Sequence, residues 1–170
     1  TPEPKDEPSG ENPPAGAILD YVLAADAGPV TLEILDGAGE LVRRYSSEEK
    51  GKAPDVTKIQ VSPDWMPAAP SPASTPGMHR FTWDLHYAVP EALRDPESRR
   101  ESSGPWAAPG RYTVRLTASG VKREQPLAVV RDPRISVTDS ELARQLELAR
   151  KIQVERGRLA QAVRRGDTLA

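Results

Sequence analysis

The sequence predicts a mainly β fold, an antiparallel β-sandwich of six or seven strands closed by a C-terminal amphipathic α-helix. Three observations carry this. Short apolar/polar alternations recur along residues 17–130. They are separated by Asp-Gly, Pro-Gly and Ser-Gly steps that suit tight turns. Beyond Asp132-Pro133 the apolar period changes from two to that of a helix.

Residues 1–14 are Pro, Glu, Lys and Ser with almost nothing apolar, a composition that reads as a linker or strand lead-in. In residues 17–23, Leu19, Tyr21 and Leu23 alternate with Ile18, Asp20 and Val22, which predicts a strand buried on one side and partly covered on the other. Val30, Leu32 and Ile34 alternate with Thr31, Glu33 and Leu35. Asp36-Gly37-Ala38-Gly39 then provides a hairpin turn, and residues 40–46 run back antiparallel. Residues 47–77 are charged and then Pro-rich from Pro63 to Pro76, so they form an inserted loop, with residues 56–61 as a possible short edge strand.

A strand over residues 78–87 places His79, Phe81, Trp83, Leu85 and Tyr87 on one face. Residues 88–108 read as a second inserted polar loop. Pro109-Gly110 opens the next strand, with Tyr112, Val114 and Leu116 inward, and Ser119-Gly120 turns the chain into a last strand over 121–130. Pro126 marks this strand as an edge or a bulge. In the helical extension, 133–170, Thr138-Asp139-Ser140-Glu141 fits a capping box flanked by a Val137/Leu142 staple. Leu142, Leu146, Ala149, Ile152, Leu159 and Val163 then make the apolar stripe of a helix over about 139–165. The organisation is thus a linker at 1–14, a sandwich at 15–132 and a helix at 133–170. The expected core comprises Leu19, Tyr21, Leu32, Ile34, Phe81, Trp83, Leu85, Tyr112, Val114 and Leu116.

Composition narrows the function. Among 170 residues there are 18 Pro and 12 Gly with only 37% hydrophobic residues, so the core is small and the loops long. A net charge of −2 offers no overall attraction to nucleic acid, and no apolar run is long enough to span a membrane. Charge is uneven: residues 1–14 carry one cation against four anions, and residues 133–170 carry eight cations against five anions. With no cysteine, disulfides, thiolate metal sites and cysteine catalysis are excluded. The chain starts Thr-Pro-Glu-Pro, which reads as an excised piece of something longer.

No catalytic residue, cofactor-binding fingerprint or metal-ligand set emerges. His79 and His86 are an odd number of residues apart, on opposite faces of one strand, and cannot jointly hold an ion there. Without a His partner the serines at 46, 47, 98, 102, 103 and 119 lose triad chemistry, and Asp84 beside Trp83 reads as a turn signature. Trp65 and Trp106 in the Pro-rich loops, with Tyr87, are the candidates for contact with a ligand or partner, through stacking on a sugar or anchoring at an interface; the alternative for the loop tryptophans is to cover the ends of the sandwich, and exposure separates the two.

The ordered motifs Asn12-Pro13-Pro14, Gly16-Ala17-Ile18-Leu19-Asp20-Tyr21, Val30-Thr31-Leu32-Glu33-Ile34-Leu35-Asp36, Thr75-Pro76-Gly77-Met78-His79-Arg80-Phe81-Thr82-Trp83-Asp84-Leu85, Pro109-Gly110-Arg111-Tyr112-Thr113-Val114-Arg115-Leu116 and Asp132-Pro133-Arg134 resemble the C-terminal module of bacterial proteins with sortilin-like, BNR-type β-propellers. Those proteins are often labelled glycosyl hydrolases because of the propeller. More distantly, the motifs are similar to the Ig-like domain of the flagellar hook-capping protein. The resemblance implies an Ig-like or fibronectin-III-like accessory sandwich without catalysis, in an exported, extracellular or periplasmic protein. Its partner would be the neighbouring propeller domain or another protein. The alternative is a carbohydrate-binding module taking a glycan on its loop aromatics.

Overall fold

The computed structural model describes residues 14–49, 70–93 and 103–167. Its strands are β1 (Ala17–Leu23), β2 (Val30–Leu35), β3 (Leu41–Ser46), β4 (Gly77–Trp83), β5 (Gly110–Ala118) and β6 (Val121–Val129). They form two antiparallel sheets, β1-β4 and β3-β2-β5-β6, and the long helix α1 (Asp139–Asp167) follows. A sandwich-like, mainly β architecture with one C-terminal helix is therefore present. The proposed strand at 56–61 lies outside the described residues. Among the described residues, no helix is long and apolar enough to cross a membrane.

The turns behave as their residue types dictate. An oxygen of the Asp36 carboxylate accepts hydrogen bonds from Ala38 N at 3.0 Å and Glu40 N at 2.9 Å, and Gly39 supplies the positive φ that closes the β2–β3 hairpin. Ser119 and Gly120 both adopt positive φ, 49° and 73°, as a two-residue hairpin loop requires. That tight loop makes Ala118 and Val121 a hydrogen-bonded pair. Alternation along the ladder then places Thr113 and Pro126 at a non-hydrogen-bonded pair, so the missing proline N–H lies on the outer margin of β6 and costs β5 nothing.

The interior is aromatic at its centre. Leu32, Ile34, Val42, Tyr45, Phe81, Trp83, Tyr87 and Tyr112 form one buried cluster, with Leu19, Tyr21, Leu85, Val114 and Leu116 partly buried against it. Tyr45 meets Phe81 and Trp83 meets Tyr112 edge-to-face, with ring centroids 4.6 and 5.4 Å apart. A smaller cluster of Leu23, Ala27 and Val30 completes the core. All ten expected core residues pack in or against these clusters.

Three expectations require correction. Strand β4 ends at Trp83, not Tyr87, because the Asp84 carboxylate accepts the His86 N–H at 3.1 Å and Leu85 takes φ 59°, a local turn that breaks the pleat. His86 therefore lies past the strand rather than across it from His79. The outward side of β1 is not partly covered: Val22 and its cross-strand partner Met78 are 71% and 70% exposed. Within or beside the 88–108 loop lie a 3₁₀ turn (Glu91–Leu93) and an antiparallel bridge between His86 and Trp106. Finally, α1 turns Leu142, Leu146, Ala149, Gln153, Gly157 and Ala160 towards the body, whereas Ile152, Leu159 and Val163 of the expected stripe are exposed.

The capping box at the start of α1 is formed. Glu141 accepts the Thr138 N–H at 2.8 Å, and the Thr138 hydroxyl faces Glu141 N at 3.3 Å. The Thr138 N–H, and the Thr138 hydroxyl donating to the same carboxylate at 2.7 Å, hold the Glu141 carboxyl below its ordinary value. Helix α1 then lies against the 3₁₀ turn, with Leu146 packed on the main core.

Burial pushes the Tyr45 and Tyr112 hydroxyls up from 10.0 to about 12. With the folded value raised, the unfolded chain releases these protons first. Stability is then untouched below about pH 10 and falls as pH rises from about 10 to about 12. Urea midpoints should drop only above about pH 10, and Tyr112→Phe should shrink the drop.

Candidate functional site

Two regions collect the candidate residues. In the first, residues 85–87 and 105–107 run side by side: Tyr87 N donates to Pro105 O at 2.9 Å and Ala107 N donates to Leu85 O at 2.7 Å. Gly104 lets these segments approach, since a Cβ there would sit 2.1 Å from the Tyr87 carbonyl oxygen. This pairing brings Trp106 against His86, with ring centroids 3.9 Å apart. His86 is held in turn by its own turn, with Nδ1 2.8 Å from the Asp84 carbonyl oxygen and 3.6 Å from the Asp84 carboxylate. Trp106 is 65% exposed and so presents an aromatic surface braced from below by an imidazole.

Tyr87 does not share that surface. Its side chain is only 7% exposed and belongs to the core, with the Arg150 guanidinium of α1 5.0 Å above its ring. Burial raises its hydroxyl above the ordinary tyrosine value, partly offset by Arg150. Tyr87 is thus packed beneath α1 and not presented beside Trp106. Alternation places Tyr87 on the core face beside Phe81 and Trp83, but it cannot position the helix that covers it. Trp65 lies outside the described residues. Of the three predicted contact residues, Trp106 is the one the described structure exposes.

The second region is an open groove of about 510 Å³ between α1 and the β2–β3 hairpin. Tyr87, Leu146 and Val154 supply apolar wall, Arg150 and Lys151 cationic rim, and Asp36, Glu147 and Glu155 anionic rim. The Asp36 carboxylate is already engaged by the hairpin. Sequence reading missed Arg150, although its position four residues after Leu146 puts it on the body-facing side of the helix.

Other polar side chains of the described residues are engaged by the fold itself. Ser47 Oγ accepts Val30 N, Ser46 Oγ accepts Glu48 N and Ser119 Oγ donates to Ala27 O, so each hydroxyl is a turn or strand-end brace. His79 Nε2 lies 2.7 Å from Thr75 O and its ring 5.3 Å from Tyr21. Arg115 is bracketed by Glu33 at 3.3 Å and Glu124 at 2.7 Å across three strands. No group of three or more metal-ligating side chains occurs among the described residues. Compared with family models, curated proteins and solved structures, the chain matches none.

Proposed function

We propose that this chain is a non-catalytic accessory module, an Ig-like or fibronectin-III-like sandwich that braces or presents a neighbouring β-propeller in a larger exported bacterial protein. The observation that carries the reading is the outer side of the two-stranded sheet, where Ile18, Val22 and Met78 are exposed beside the Asp20–Arg80 ion pair. Exposed large apolar side chains framed by charge are the features of a docking face. The chain also switches layers after β1, β3 and β4, and the place of β3 beside β2 favours the fibronectin-III-like form of the reading over a constant-type Ig arrangement, in which that strand joins the other sheet.

The test uses the parent protein. Val22→Asp with Met78→Asp should lower the unfolding temperature of the neighbouring domain by several degrees while leaving the isolated module folded. A parent without a propeller, or one indifferent to both substitutions and to deletion of 14–167, would overturn the proposal.

A carbohydrate-binding module is the second reading, favoured by the exposed Trp106. Specific binding on a glycan array that Trp106→Ala or Trp65→Ala abolishes would establish it in place of the first.

A further inference from the structure

Helix α1 carries two apolar rows, and the fold uses one. Leu142, Leu146 and Ala149 face the body, as do Gln153, Gly157 and Ala160. The other row, Leu148, Ile152, Leu159 and Val163, is 50–66% exposed. Alongside it run Arg144, Lys151, Arg158 and Arg165, one every seventh residue and so in a single line along the helix. Between 144 and 165 there are seven cations against two carboxylates, a balance of +5 in a chain whose net charge is −2.

We propose that the solvent-facing side of α1 is a docking seam for an acidic amphipathic helix of a partner protein. Apolar positions spaced four, seven and four residues apart match the ridge of a helix pair, and the flanking line selects carboxylates on the incoming chain. Lys151 is paired with Glu147 at 2.6 Å and Arg158 with Glu155 at 2.7 Å, but these pairs are exposed and exchange readily for a partner's carboxylates.

Charge also decides against other occupants. A second copy docked antiparallel through this row would set one basic line against the other, and docked parallel it would bring Lys151 towards Arg156 of its twin; both are repulsive. An anionic bilayer favours a broad apolar face with Trp or Phe, whereas α1 contains no aromatic residue and Glu155 interrupts the row. This inference is independent of whether a propeller adjoins the sandwich.

The test titrates the intact chain with a fluorescent synthetic helix of about four heptads, with Leu and Ile at the core positions and Glu on both flanks. The same peptide with Lys flanks serves as its counterpart. The acidic peptide should bind at least about tenfold more tightly than the basic one and weaken as salt rises from about 0.05 to about 0.5 M. Ile152→Asp with Leu159→Asp should cost about tenfold or more. Arg144→Glu, Lys151→Glu and Arg158→Glu together should reverse the preference towards the Lys peptide. All five substituted side chains are exposed, and circular dichroism verifies that the helix persists. No binding of the acidic peptide, equal binding of both peptides, or indifference to charge reversal overturns the proposal. So does a seam-dependent dimer in sedimentation, or adsorption to phosphatidylcholine/phosphatidylglycerol vesicles in place of the peptide.

Discussion

Trp83→Ala is expected to destabilise the protein by about 3–5 kcal/mol, a large part of the total stability of about 5–15 kcal/mol typical of a single domain. The side chain is fully buried and stands between the sheets, edge-on to Tyr112. Its indole N–H donates to the His86 carbonyl at 3.1 Å, which ties the end of β4 to the segment carrying Trp106. Alanine leaves a void that a scaffold of short strands cannot collapse around, and it also leaves that carbonyl without its donor. Urea unfolding followed by far-ultraviolet circular dichroism gives the measurement. Trp83→Phe restores most of the volume but not the N–H and should recover more than half of the loss. A cost below about 1 kcal/mol for Trp83→Ala would mean that Trp83 does not fill the space between the sheets.

The second large effect is expected at Gly16, just before β1. Its φ is +140°, where a side chain is strained in any surroundings, and an added Cβ would lie 2.2 Å from the Trp83 carbonyl oxygen. That oxygen is backbone and cannot swing aside. Gly16→Ala must therefore displace the start of the β1–β4 ladder, where Ala17 opposes Trp83, at a cost of about 2–4 kcal/mol. Gly39→Ala is the control. Gly39 also has positive φ, 83°, yet nothing lies within 4 Å of the added methyl, so only backbone strain of about 1 kcal/mol is expected. Equal losses for the two variants would show that the close approach at Gly16 carries no weight.

The parts of the fold that could be read from sequence are those governed by local rules. Strict alternation gave β2 and the Tyr112-Val114-Leu116 face of β5, and the Asp36 and Ser119-Gly120 turns followed from residues that tolerate positive φ. Local rules failed where long-range packing decides. Residues 84–87 still alternate in sequence, yet an aspartate side chain outcompetes the ladder for the His86 N–H. Val42 and Tyr45 were not foreseen as core because Arg43-Arg44 breaks the alternation of β3, and the β2–β3 pairing shifts register near Leu35. On α1 hydrophobicity alone marks Ile152, Leu159 and Val163 for the buried stripe. The fold instead turns Gln153, Gly157 and Ala160 inward in the second half of the helix. Trp106 was legible as a contact candidate, but its support on His86 depends on two segments about twenty residues apart pairing.

Pro126 has a consequence at the level of many molecules. Among the described residues β6 pairs only with β5, so its other margin offers a backbone on which another chain could be templated. There an approaching strand meets a residue with nothing to donate, and Lys122, Arg123 and Glu124 surround it with charge. Crowded copies thus find no continuous margin along β6 on which to grow into fibres.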